Sequence, residues 1–200
     1  MRRIEFYFDC SSPWTWLAFE QALKLFPASL AAIEWKPILV GGVFNAVNPS
    51  VYAARENPVP AKVAYARKDL QDWARHVGIE IGQPPVFPVN SVKAMRGAFV
   101  ALAHDLLVPY ARNVFRRYWT DLADISQDAV LGAIVEETGL DRADFFARIG
   151  QQAYKDRLRE TTEELVARGG FGSPTLFLDG DDMYFGNDRL ILLQQRLLQH

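Results

Sequence analysis

The sequence predicts an α/β fold interrupted by a large all-helical block. Three observations carry this: a strand–helix–strand pattern opens the chain, helical periodicity dominates its middle, and two short strands with a final helix close it. Residues 4 to 9, IEFYFD, alternate apolar with polar positions and are rich in aromatics, the pattern of a strand. Ser12 is a good N-cap, and Pro13 suits the first helical position, where its missing N–H is no loss. Trp16, Phe19, Leu23 and Phe26 then recur at helical spacing until Pro27 ends the run. Residues 32 to 40, AIEWKPILV, predict a second strand, and a crossover of this length makes it parallel to the first.

From Gly41 to about Pro60 the chain reads as a loop, punctuated by Gly42, Asn48, Pro49 and Pro58, and a loop of that length is expected to be functional or mobile. Helices are predicted over 61 to 77, 90 to 107, 109 to 123, 127 to 138, 141 to 149 and 151 to 168, with Gly78, Gly139, Gly169 and Gly170 as stops. PTLFLDG (174 to 180) and DMYFG (182 to 186) predict a hairpin around Asp179, Gly180 and Asp181, followed by a capped helix over 187 to 198. Residues 1 to 42 and 170 to 200 would then form a discontinuous sheet-bearing domain, with 43 to 169 as the helical insertion.

Composition narrows the function classes. Half the residues are hydrophobic, enough for a sizeable core in a chain of 200. A formal net charge of −2 provides no basic field for a phosphate backbone, so nucleic acid is not expected as a partner. Glu5 and Asp9 interrupt the apolar start, so no signal peptide is predicted, and no apolar run is long enough for a membrane span; the expectation is a soluble cytoplasmic protein. Cys10 is the single cysteine, which excludes an internal disulfide and fits a reducing compartment. His76, His104 and His200 lack the spacing of any metal motif, so no metal is expected.

Four stretches carry a specific likeness: FYFDCSSPWTWLAFE (6 to 20), KPILVGGVFNAVN (36 to 48) with PAKVAYARKDLQDWAR (60 to 75), FPVNSVKAMRGA (87 to 98), and GGFGSPTLFLDGDDMYFGNDRL (169 to 190). In this order the chain resembles the 2-hydroxychromene-2-carboxylate isomerase and kappa-class glutathione transferase family. That family is a branch of the thioredoxin fold with a large helical insertion, and it neighbours the bacterial disulfide-forming oxidoreductases. The resemblance implies glutathione as the cofactor and a small aromatic molecule as the substrate.

Aligned on Pro13, the Cys-x-x-Cys of the disulfide-forming relatives falls on Ser12 and Thr15, so both redox positions hold hydroxyls. The resemblance makes Ser12 the catalytic donor to the sulfur of glutathione; from the motif alone it is an N-cap. Cys10 is expected to be packing, since a free cysteine is among the most buried residue types.

Ser173 and Pro174, in GSPT, match the family's cis-proline, whose preceding backbone pairs with the tripeptide. Asn187 and Asp188 start the last helix; by resemblance its N–H groups hold the γ-glutamyl carboxylate and Asp188 the ammonium. Asn48 and Lys62 match the positions that meet the rest of the tripeptide, with Arg55 a competing cation in the same loop. Trp14, Phe44, Val89 and Asn90 fall in the stretches that meet the family's second substrate, while Asn90 and Arg96 also have a plain structural reading. The expected activity is a glutathione-dependent isomerase of a small aromatic compound, with a kappa-like transferase, a thiol–disulfide oxidoreductase and a silent binding module as rivals. Family members are often homodimers, and the resemblance implies one here.

Overall fold

A computed structural model describes residues 2–199. His200, weighed above as an imidazole donor, lies outside the described residues. The chain opens with β1 (Arg2–Phe8), α1 (Pro13–Leu25) and β2 (Ala31–Pro37). Eight helices follow: α2 (Val40–Val47), α3 (Ser50–Glu56), α4 (Pro60–Val77), α5 (Val92–Ala103), α6 (Leu107–Trp119), α7 (Asp128–Thr138), α8 (Arg142–Gly150) and α9 (Gln152–Ala167). Strands β3 (Thr175–Leu178) and β4 (Asp182–Phe185) lead into a 3₁₀ turn (Asn187–Arg189) and α10 (Leu190–Leu198).

The sheet has the order β2-β1-β3-β4. The β1–β2 pair is parallel, as the short crossover predicts, and β3 is antiparallel to both β1 and β4. Period-two alternation divides the sheet's contents between its faces. Ile4, Phe6 and Phe8 join the larger core, which includes Leu17, Phe19 and Phe115, whereas Tyr7 and Phe177 join a smaller one with Ile38, Val43 and Leu165. Burying each such side chain is worth roughly 1.5–3 kcal/mol, so this alternation fixes the register of β1. Close packing continues into the helical block. A Cβ on Gly97 of α5 would stand 2.2 Å from the Phe145 ring and 2.4 Å from the Tyr110 hydroxyl, so only glycine lets α6 and α8 approach there.

Two expectations need correction. The segment read as a loop from Gly41 to Pro60 is mostly helical, as α2 and α3. Its glycines and prolines are local stop signals, but α2 is held from outside: Val43 packs in the smaller core, and the Val40 N–H donates to Asp9 Oδ2 at 2.9 Å. Tertiary contacts override a weak local propensity. The last helix, expected from residue 187, begins with the 3₁₀ turn, and Asn187 makes no side-chain cap. The expected division between residues 42 and 43 falls within α2. Among the described residues no helix is long and apolar enough to cross a membrane, and no cluster of His, Cys, Asp or Glu could hold a metal ion.

Candidate functional site

The site forms where β1 runs into α1. Ser12 has extended backbone and caps the helix, its Oγ accepting from the Thr15 N–H at 3.3 Å, with Pro13 in the first turn. The hydroxyl has one proton to give, and its protein acceptor is the Ser173 carbonyl at a long 3.4 Å. The Ser173–Pro174 peptide is cis, as the resemblance implied, and Phe87–Pro88 is a second cis bond. Thr15 Oγ1 meets Ser173 Oγ at 2.8 Å, joining α1 to the segment that enters β3.

Beneath Ser12 lies Asp9, fully buried. Its carboxylate accepts from the Ser11 N–H at 2.9 Å, the Val40 N–H at 2.9 Å and the Ser91 hydroxyl at 3.1 Å. Its backbone N–H donates to Ser173 Oγ at 3.1 Å, and its carbonyl accepts from the Ser12 N–H at 3.2 Å. One residue therefore ties together four segments of the site. Burial pushes its carboxyl above the usual range, against the three donors that favour the ionised form. Cys10 is buried at 1%, with its carbonyl accepting from Trp119 Nε1 at 3.0 Å, and burial raises its thiol well above the ordinary value. It is packing, as expected, and no reactive thiolate.

Two connected hollows open over Ser12. The larger, ≈ 540 Å³, is lined by Asp9, Ser12, Trp14, Phe44, Asn48, Arg55, Val89, Asn90 and Ser173, together with Val51, Phe87 and Phe185. The smaller, ≈ 350 Å³, is lined by Trp14, Ser173, Pro174, Asn187 and Asp188, together with Asp69 and Trp73. They share Trp14, Ser173 and Phe185, so one elongated cleft passes over the start of α1. At one end Asn187 is buried and its Nδ2 has no hydrogen-bond partner among the described residues, while Asp69 and Asp188 place two carboxylates beside it. At the other, the Arg55 guanidinium lies 5.9 Å from the Phe44 ring centroid and 5.3 Å from that of Phe87, a cation held over aromatic faces.

Of the eleven residues that the resemblance assigned to glutathione or the substrate, ten thus line this cleft, as does the competing cation Arg55, whereas Arg96 does not. The eleventh, Lys62, does not either: it is exposed on the first turn of α4, whereas Arg55 is the cation that lines the cleft among the described residues. Asn48 ends α2, donating from Nδ2 to the Phe171 carbonyl at 3.2 Å. Asn90 turns its Oδ1 to the Val92 N–H at 3.1 Å. Sequence reasoning missed Asp9, Asp69 and Trp73. Asp9 left one signal, an acid ending an otherwise aromatic strand; the other two stand on the far half of α4, where periodicity marks a helix face but not what it meets.

A helix opening beside a cis proline on this four-stranded mixed sheet defines a protein of the thioredoxin fold, and the model of the DSBA-like thioredoxin domain matches residues 3–198. A 2-hydroxychromene-2-carboxylate isomerase of Pseudomonas putida is 32% identical over 196 residues, covering 97% of this chain and 93% of its own. Human glutathione S-transferase kappa 1 is 28% identical over 211 residues, 98% of this chain and 91% of its own. A solved 2-hydroxychromene-2-carboxylate isomerase superposes with a TM-score of 0.84 at 29% identity, over 98% of this chain and 95% of the other. The chain belongs to the DSBA-like thioredoxin domain family, in the group of 2-hydroxychromene-2-carboxylate isomerases and kappa-class glutathione transferases, and both kinds of relative are enzymes.

Proposed function

We propose that the protein is a glutathione-dependent isomerase of a small aromatic substrate akin to 2-hydroxychromene-2-carboxylate, with Ser12 as the donor that stabilises the glutathione thiolate. The observation that carries this reading is the Ser12 hydroxyl itself: it stands at a helix N-terminus in the cleft, with its one proton only loosely engaged at 3.4 Å. Glutathione would supply a thiolate that adds reversibly to a conjugated carbon of the substrate, so that a double bond loses its order and can rotate.

The chain's own groups divide the remaining work. Lowering a thiol pKa by two units from about 8.5 takes ~2.7 kcal/mol of preferential binding of the anion. A hydroxyl donor to a charged acceptor provides about 1.5–3 kcal/mol and a helix N-terminus roughly 0.3–1, which together cover that need. The backbone at Ser173 pairs with the tripeptide's, beside Pro174. The unpartnered Asn187 Nδ2 supports a carboxylate at that end, and Asp188 and Asp69 suit an ammonium, the two signs a γ-glutamyl group needs. Asn48 and a cation, Lys62 or Arg55, take the opposite end. Trp14, Phe44, Val89 and Asn90 form the wall that receives the aromatic substrate. The reading implies a cytoplasmic protein and, from the family resemblance, a homodimer.

The test is the pKa of bound glutathione, read by thiolate absorbance in the wild type and in Ser12→Ala. The serine should hold that pKa below the free value and the variant should release it, with the fold intact by circular dichroism. An equal pKa in both overturns the role of Ser12. Failure to bind glutathione at several millimolar overturns the whole reading in favour of a binding module.

A further inference from the structure

A second cavity, of ≈ 510 Å³, lies on the other side of α2, walled by α2, α5 and α9. Helix α2 is the partition: Gly41 and Phe44 line the Ser12 cleft, whereas Gly42 and Ala46 line this cavity. Leu39 and Val92 border both. The lining is chiefly apolar, with Leu158, Val166 and Ala167 from α9, yet cations reach into it. Arg96 enters from α5, and its buried Nε has no hydrogen-bond partner among the described residues. Lys155 enters from α9. Arg159 and Glu163 line it too, but they pair with each other at 3.3 Å, Asp156 and Glu160 also turn to Arg159, and Glu164 turns to Lys36 and Arg168, so among the described residues neither Arg96 nor Lys155 has an acidic partner.

A guanidinium nitrogen taken out of water without an acceptor is costly, and the cost is lifted when an anion arrives. The planar fork of arginine suits a carboxylate, held by two parallel bonds. The volume is that of a small-molecule site, and the apolar walls ask for hydrocarbon behind the charge. We propose that this cavity binds a small monocarboxylate with an apolar body, its carboxylate on Arg96 with Lys155 at the rim and its hydrocarbon against Leu158 and Val166. The site is separate from the Ser12 cleft and does not depend on glutathione.

The test uses hydrocinnamate and its neutral counterpart, hydrocinnamyl alcohol, titrated calorimetrically into the intact protein without glutathione. Hydrocinnamate should bind with a single site, Arg96→Met should weaken it at least tenfold, and the alcohol should bind weakly and equally to both proteins. Should Arg96→Met fold poorly, Lys155→Gln on the exposed rim should weaken hydrocinnamate about threefold, ~0.6 kcal/mol. Ala46→Trp, on the exposed side of α2, should block the cavity and abolish binding, whereas Phe44→Ala, in the cleft, should leave it unchanged. The proposal is overturned if hydrocinnamate does not bind, if the Arg96 and Lys155 variants bind it as the wild type does, or if Phe44→Ala rather than Ala46→Trp removes binding.

Discussion

Thr15 Oγ1 and Ser173 Oγ lie 2.8 Å apart, both residues buried, and this hydroxyl pair clasps the helix that begins at Ser12 to the segment that enters the cis proline. Thr15→Val keeps the shape and removes the bond. Ser173 Oγ retains the Asp9 N–H as donor but loses its hydroxyl partner. The expected cost is about 1–2 kcal/mol, which for a chain of this size lowers Tm by roughly 2–8 °C. Calorimetry measures it, and an unchanged Tm would show the clasp to be energetically idle.

Restoring thiols at both hydroxyl positions tests the alignment on Pro13. The double variant Ser12→Cys, Thr15→Cys should reduce insulin disulfides with dithiothreitol as electron source, while neither single variant does so. A double variant without turnover would mean that Ser12 and Thr15 do not stand in the registry of a Cys-x-x-Cys pair.

Asp9 predicts a pH signature. Its folded pKa is raised by burial, so between the unfolded value of about 3.9 and that raised value the native state binds the proton more tightly, and this contribution to stability grows as pH falls. Asp9→Asn removes the titration. Its amide can accept from one of the two backbone donors but must turn its NH₂ towards the other. The Tm difference, wild type minus variant, should therefore increase from pH 8 towards about pH 4.5. Cys10 and Tyr118, whose pKa values Asp9 helps to raise, stay neutral over that range. Parallel Tm curves would rule out Asp9 as the titrating group.

Under the proposed function, Arg55 and Lys62 are the two candidate cations for the far end of glutathione. Arg55 lines the cleft and lies over Phe44 and Phe87, whereas Lys62 is exposed outside it. Arg55→Met should raise the Kd for glutathione about five- to tenfold, or ~1–1.4 kcal/mol, and Lys62→Met less than twofold. The reverse order in a titration would return the role to Lys62.

The sheet and the flanking helices were legible because their patterns are local: a period-two run at Phe6 and Phe8, a helical stripe at Trp16 and Phe19, a Ser–Pro start. Helix α2 was not, because its hold comes from Asp9, 31 residues away from Val40, and from Val43 packing in one cluster with Leu165 and Phe177, more than a hundred residues further along the chain. The same limit applies to the site. Ser12, Ser173 and Asn187 sit in motifs, while Asp69 and Trp73 reach the cleft only because the second half of α4 packs beside α1. Asn187, which lines the cleft, was misread as a cap, since the sequence does not distinguish a 3₁₀ first turn from an α one.

Neighbouring glycines on α2 have opposite latitude for change. A Cβ on Gly42 would meet Thr162 Cγ2 at 3.2 Å, whereas one on Gly41 would meet nothing within 4 Å and would project beside the cleft. Gly41 is accordingly a dial: alanine, serine or valine there fills this wall of the cleft in graded steps, so the cleft's width can be trimmed by the size of one side chain while Ser12 is left as it stands.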